Sequence, residues 1–334
     1  MKEIVFIGPC LSPLSNRKFS VAPSGITYSD YIIGSLKKAG FKVRAISSIF
    51  GGEETYCSDL DLEIDENEQH FYLKSFRKSS SGFINRLNQF FLYFQILWRL
   101  ARNTDKNSNI LIYHDFGFSY FYSVIQKILK RRVSFIVAEI FSAVYDRGEK
   151  KITEEIARLS EGCNYIFINN VLPTKFPNDK PYLVCHGNYR YVTNKEIVTD
   201  EKIHVIYAGK ISQGIINDAF IAADIARFLN KQYHVHILGY GTDRDIEALK
   251  VKINVINEER GIVAVSYDGC LLGIEYDRFL AKCKIGLCTR TLKDELSDYC
   301  FPSKILAYLS HDIIPICPSV QSLLDSQVSD NLVF

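Results

Sequence analysis

The 334-residue chain has one methionine and one tryptophan, and its nine cysteines (10, 57, 163, 185, 270, 283, 288, 300 and 317) form no CxxC pair. An odd, scattered set of thiols argues against a disulfide framework and against a zinc site, and it suits a reducing, cytoplasmic setting. No stretch offers the ~20 consecutive apolar residues of a spanning helix, so any membrane contact expected of this chain is peripheral, on the inner face. Charge of one sign is missing too. Lys and Arg (40) nearly balance Asp and Glu (38), and a formal net charge of +2 makes no case for a nucleic-acid partner. The opening run MKEIVFIGPC is too short for a secretory signal and breaks at Gly8-Pro9, so it reads as a first buried strand.

What is present describes a globular protein. Hydrophobic residues make up 47% and charged residues 23% of a chain long enough for two domains, each with its own core. Strand and helix patterns alternate throughout, which predicts an α/β protein with parallel, doubly wound sheets. In the first half strands are expected at 3–8, 41–47, 109–114, 133–139, 165–169 and 182–187, with a helix over 27–39. The polar stretch 193–202 then separates this half from a second, with strands at 204–209, 234–239, 263–269, 285–289 and 313–317 and helices between them. The boundary is placed at 195/196, giving domains 1–195 and 196–334. Open parallel sheets bind ligands beyond the carboxyl ends of their strands, so a site is expected in a cleft that the two sheets face.

An insertion of opposed charge precedes Asn109. Residues 53–68 hold eight acids and no base, whereas 72–108 hold seven bases and one acid. Within the basic part Ile84, Leu87, Phe91, Phe94 and Trp98 recur at helical spacing, fringed by Arg86, Arg99, Arg102 and Lys106. Such a helix over 83–102 either lies flat on an anionic membrane surface or packs its aromatic stripe on the first domain's sheet.

The stretch with most chemical content is FPSKILAYL (301–309). Phe301-Pro302 ends what precedes it, and Pro302 or Ser303 opens a helix with Lys304 in its first turn. A cation is mildly unfavourable at that end of a helix unless an anion sits beside it, so the pattern suggests an anion site. Three further motifs precede it in order: IHVIYAGKIS (203–212), YHVHILGYGTD (233–243) and VSYDGCLLGIEYDRFLAKCKIGLCTR (265–290). Together the four resemble the donor half of the retaining glycosyltransferases of family 4, of the bacterial exopolysaccharide and capsule type, with the GT-B fold. The likeness covers residues 200–320 well and the first half loosely.

The resemblance implies a metal-independent hexosyltransferase that takes a nucleotide-sugar donor, UDP first, needs no cofactor or metal, and acts on a lipid-linked saccharide in cell-surface polysaccharide assembly. It implies donor contacts from Gly209, Lys210, Gly239, Tyr240, Gly241, Cys270, Leu271, Pro302, Ser303 and Lys304, with Lys210 and Lys304 converging on the diphosphate. Asp294, Glu295 and Asp298 are further candidates for the sugar. On the acceptor side Ser24-Gly25-Ile26 looks like the family's glycine-containing loop. His114 and Glu139 end apolar strands and are the candidate catalytic pair, the carboxylate orienting the acceptor hydroxyl and the imidazole bonding the transferred sugar. The chain departs from the family in three places. No cation follows Lys210 near Gln213-Gly214-Ile215, and the paired-glutamate positions fall on Tyr299 and Ala307. The usual return helix after the last donor strand is not found before Phe334, so either the chain is a truncated protein or the protein lacks that helix. These departures leave two rivals, a non-catalytic nucleotide-sugar-binding subunit and a GT-B sugar-nucleotide epimerase.

Overall fold

Continuous burial along short apolar strands, from Ile4 to Gly8 in the first and from Val235 to Gly239 in a later one, requires helices on both faces of each sheet. The computed structural model describes residues 2–11, 23–49, 60–77, 79–105, 107–114, 121–122, 124–145, 147–177, 179–187, 201–214, 217–271, 273–289 and 298–334. The chain divides into two compact units, Met1–Gly187 and Asn188–Phe334. The boundary expected at 195/196 lies outside the described residues.

The first unit is built on an eight-stranded sheet of order β3-β4-β2-β1-β5-β6-β7-β8. Its strands are β1 (Glu3–Gly8), β2 (Lys42–Ser47), β3 (Leu60–Asp65), β4 (Glu68–Tyr72), β5 (Asn109–Tyr113), β6 (Arg132–Val137), β7 (Asn164–Phe167) and β8 (Tyr182–Val184). All neighbouring pairs are parallel except β3 with β4, a hairpin made from the acidic part of the insertion. The helices are α1 (Pro23–Lys38), α2 (Gly82–Asn103), α3 (Phe141–Val144) and α4 (Glu149–Leu159). Helix α1 begins four residues earlier than the sequence pattern suggests. Ser24, Gly25 and Ile26 therefore form its first turn rather than a loop.

The aromatic stripe of α2 is not core. The helix buries Asn88, Leu92, Tyr93, Ile96 and Leu100, whereas Phe91, Phe94 and Trp98 are exposed by 37%, 57% and 54%. A helix that is apolar nearly all round has two possible inner faces, and the partner sheet selected the less aromatic one. Arg99 leaves the fringe as well: it pairs with Asp61 of β3 at 3.0 Å and stacks its guanidinium 4.6 Å from the Phe71 ring.

The second unit has a five-stranded parallel sheet of order β11-β10-β9-β12-β13. Its strands are β9 (Ile203–Lys210), β10 (Tyr233–Tyr240), β11 (Val265–Tyr267), β12 (Ile285–Leu287) and β13 (Ile314–Ile316). The helices are α5 (Asp218–Ile225), α6 (Asp243–Arg260), α7 (Gly273–Ala281), α8 (Lys304–Ser310) and α9 (Gln321–Leu324). Val205 and Tyr207 of β9 point into one apolar cluster with α5 and α6, while Ile206 points into another with Ala307 and Tyr308 of α8. Successive strand residues face opposite sides, so a continuous apolar run signals a sheet covered on both. Helix α6 shows why its ends lie where they do. The Thr242 hydroxyl accepts from Asp245 N at 3.2 Å at its start, and Gly261 takes the left-handed conformation (φ 62°) at its end.

Candidate functional site

The second sheet changes direction between β9 and β12, and at such a point the loops beyond the two strand ends separate and leave room for a ligand. Strand β9 ends in Gly209-Lys210, and β12 is followed by Cys288 and Thr289. Lys304, the first residue of α8, reaches this point: its ammonium lies 3.9 Å from the centroid of the Tyr207 ring. A Cβ on Gly209 would stand 3.2 Å from that ammonium and 2.8 Å from Tyr207 Oη. The glycine thus leaves backbone, not side chain, next to a held cation. Burial alone would push the Lys304 amine down. The Tyr207 hydroxyl, the Cys288 thiol and the Asp218 carboxylate override it and hold the group above the ordinary lysine value, so it is charged at neutral pH.

Two more glycines tighten the same end of the sheet. Gly239 faces Gly209 across the β9–β10 ladder, and a Cβ on it would come within 1.9 Å of the Gly209 carbonyl oxygen. A Cβ on Gly241 would meet the Ile211 carbonyl oxygen at 2.5 Å. Tyr240, between them, is 40% exposed, and its carbonyl accepts from Ile211 N at 2.8 Å. The β11 loop joins this turn through Tyr267, whose hydroxyl donates to the Gly239 carbonyl at 3.0 Å, and beyond it Cys270 is exposed and Leu271 partly so.

In the FPSK turn Ser303, Ile305 and Leu306 donate their N–H groups to the Phe301, Pro302 and Ser303 carbonyls at 2.9, 3.1 and 3.1 Å. Ser303 makes no side-chain cap, so the segment offers a cation, with Pro302 and Ser303 partly exposed beside it. Lys210 is exposed at the end of β9, and its charge acts on Asp245 in the first turn of α6. There the Thr242 hydroxyl, then the Gln213 N–H, hold the Asp245 carboxyl below its usual value. Asp294 and Glu295 lie outside the described residues. Among the described residues no group of three His, Cys, Asp or Glu side chains is placed to hold a metal ion.

In the first unit the corresponding change of direction falls between β1 and β5. Gly25 packs there, where a Cβ would lie 3.2 Å from Pro9 Cγ, with Ser24 exposed and Ile26 partly buried. Tyr28 of the same helix meets the Tyr113 ring edge-on at 6.0 Å and donates to the Cys185 carbonyl at 2.7 Å. Glu139 follows β6, is partly exposed, and its charge adds to burial in pushing the Tyr113 hydroxyl up. Gly25, Tyr28, Tyr113 and Glu139 thus share one end of the sheet.

His114 does not open to a ligand as expected. It is 1% exposed, its Nε2 lies 2.6 Å from Glu155 Oε1, and its Nδ1 lies 3.0 Å from Tyr122 Oη. Glu155 also accepts the N–H groups of Phe141 and Ser142, at 2.9 and 2.8 Å, and so anchors α3. Both ring nitrogens of His114 are engaged inside the unit. Sequence reasoning missed Glu155, although a signal existed: it falls on the apolar stripe of α4 with Ile152, Ile156 and Leu159, and an acid in such a stripe implies a buried partner. Tyr207 was missed too, yet it lies two positions before Gly209 and therefore on the same strand face.

No protein-family model matches the chain, and no curated protein is similar to it. Solved structures are. A trehalose-6-phosphate synthase structure from E. coli, bound with UDP-2-fluoro glucose, superposes with a TM-score of 0.65 at 11% identity, covering 100% of this chain and 88% of that one. The UDP-forming α,α-trehalose-phosphate synthase of Burkholderia xenovorans, in complex with glucose-6-phosphate, gives 0.63 at 10% identity, covering 95% and 85%. A trehalose-6-phosphate synthase studied for glycosyl transfer with retention gives 0.63 at 10%, covering 99% and 87%. These neighbours bear out the GT-B architecture and lend nothing to the exopolysaccharide branch of the resemblance. The fold of this chain is GT-B, two Rossmann-like units, the second built on a parallel sheet and the first on a sheet parallel except for its β3–β4 edge.

Proposed function

We propose that the protein is a retaining glycosyltransferase that moves a sugar from a nucleoside-diphosphate donor, UDP first, to a lipid-linked saccharide. The observation that carries this reading is the Lys304 ammonium beside the Gly209 backbone at the switch point of the second sheet. When a glycosidic bond to a diphosphate breaks, negative charge grows on the leaving phosphate, and a preorganised cation in a partly buried site stabilises it without reorganising. Tyr207 and Asp218 hold Lys304 charged for that task. A UDP-sugar analogue in the E. coli neighbour supports the donor class, and the study of transfer with retention supports the stereochemistry.

Lys304→Ala should weaken UDP binding by about 1.5–3 kcal/mol, the scale of a charge-assisted hydrogen bond. Calorimetry in EDTA-containing buffer measures it, and unchanged affinity would move the phosphate site elsewhere. For the acceptor, the proposal assigns Glu139 to orient the attacking hydroxyl. Glu139→Gln is expected to lower kcat at least about tenfold, the scale of a general base, with UDP affinity kept. Equal turnover would remove Glu139 from the reaction.

One observation favours a second reading, a non-catalytic nucleotide-sugar-binding subunit: Ala307 is 3% exposed within an apolar cluster, where the resemblance puts a ribose-binding carboxylate. Donor consumption separates the two. A transferase consumes donor efficiently only with acceptor present, and a binding subunit consumes none.

A further inference from the structure

We propose that α2 and the segment before it form a seat for an anionic lipid bilayer. This rests on the first unit alone and not on the transferase reading. On the side of α2 opposite its buried residues, Phe83, Leu87, Phe90, Phe94 and Trp98 are between 54% and 70% exposed. A solvated helix face is normally polar, and contiguous exposed aromatics mark a surface that something apolar covers.

The segment before the helix belongs to the same surface, because three amide side chains tie it down. Asn88 accepts from Phe76 N at 3.0 Å and donates to Phe76 O at 2.9 Å. Asn85 does the same with Ser79, at 2.7 and 2.6 Å, and Gln95 with Lys74, at 3.2 and 2.7 Å. This fixes Phe76, 50% exposed, with its ring 5.8 Å from that of Phe91.

Charge decides what covers the face. The 22 residues of α2 contain no acid, and Lys74, Arg77, Arg86 and Arg102 are exposed around the aromatics, with the Arg102 guanidinium 4.7 Å from the Trp98 ring. A second copy docked on the same face would bring like charges together. An anionic bilayer offers hydrocarbon to the rings and phosphate to the guanidinium groups at the depth where a flat amphipathic helix lies. Among the described residues no helix is long and apolar enough to cross a membrane, so α2 lies on the surface.

Trp98 is the one tryptophan of the chain, so its emission reports this face directly. The test titrates the full chain with vesicles of phosphatidylcholine alone or mixed with phosphatidylglycerol, following Trp98 emission and co-sedimentation. A blue shift and sedimentation are expected with the anionic vesicles, with binding at least about tenfold weaker on the zwitterionic ones. Arg77→Gln combined with Arg86→Gln should weaken anionic binding about thirtyfold, two surface charges at the usual worth. Arg99 is left in place because it holds Asp61. Phe83→Ser with Phe94→Ser should abolish binding while leaving circular dichroism unchanged, since both rings are exposed. Emission that ignores anionic vesicles would overturn the proposal. So would a lipid-free blue shift that grows with protein concentration alongside a dimer in sedimentation, which would make the face a contact between copies.

Discussion

Gly239→Ala is expected to destabilise the second unit by on the order of 4 kcal/mol, near the upper end of single substitutions. The added carbon has nowhere to go: it would lie 1.9 Å from the Gly209 carbonyl oxygen, and Gly209 is the directly paired residue of β9. A crowded side chain can rotate aside, but here the obstacle is backbone in a sheet interior, so β9 and β10 must part at their carboxyl ends. That costs ladder hydrogen bonds at about 1 kcal/mol each, besides the packing of Tyr207 beneath them. Gly34→Ala serves as the control. Its Cβ meets nothing within 4 Å and it lies inside α1, so this variant should gain up to about 1 kcal/mol from helix propensity. Hydrogen exchange on β9 and β10 peptides reads the effect in the unit concerned. Protection equal to the parent in Gly239→Ala would mean that the strand ends are not so close. The variant should also lose UDP binding, because Gly209 and the Lys304 ammonium are placed by the same approach.

The second large effect belongs to His114. His114→Ala removes the Nε2 partner of the Glu155 carboxylate and leaves it buried against Phe141 and Ser142, and a buried charged acceptor deprived of a partner costs about 1–3 kcal/mol or more. Burial pushes Glu155 up, yet the hydrogen bond and charge of His114, with the Ser142 N–H, bring it below the ordinary glutamate value of 4.5. A carboxyl depressed by folding adds stability above that value and loses it as the pH falls through its folded pKa. Without His114, burial dominates and the protonated carboxyl is tolerated. The deficit of the variant should therefore be large at pH 7 and narrow below the ordinary glutamate range, measured by urea unfolding with Trp98 as the reporter of the first unit. Parental stability combined with lost turnover would return His114 to the chemistry.

Both effects depend on contacts that the sequence pattern does not contain, and they mark where local reading stops. The alternation of strand and helix, the two-unit division and the position of most strands were legible because a doubly wound sheet, covered on both faces, demands short continuous apolar runs and a covering helix after each. Gly209, Gly239 and Lys304 were legible as site candidates because glycine at a strand end and a cation opening a helix are local chemical anomalies. The first turn of α1 was misread as a loop, since Pro23-Ser24-Gly25 carries turn residues that also suit a helix start.

The face of α2 shows the limit most clearly. Its residues at helical spacing define two apolar sides, and no propensity distinguishes them. Asn88, Leu92 and Ile96 turn inward, and Asn85, Asn88 and Gln95 also bind the segment that precedes the helix, so packing and these amide bonds together fix its rotation. His114 is similar: as a polar residue ending an apolar strand it read as open to ligand, and a carboxylate 41 residues later closed it. The sequence by itself determined the elements and their order, because these follow from periodicities of a few residues, and it marked the glycines and the cation that gather at the end of the second sheet because they are local chemical anomalies. Only the tertiary structure decided which side chains meet, putting Lys304 over Tyr207, Glu155 under His114 and the aromatics of α2 toward solvent, because each is fixed by partners that the chain brings back from far along its length.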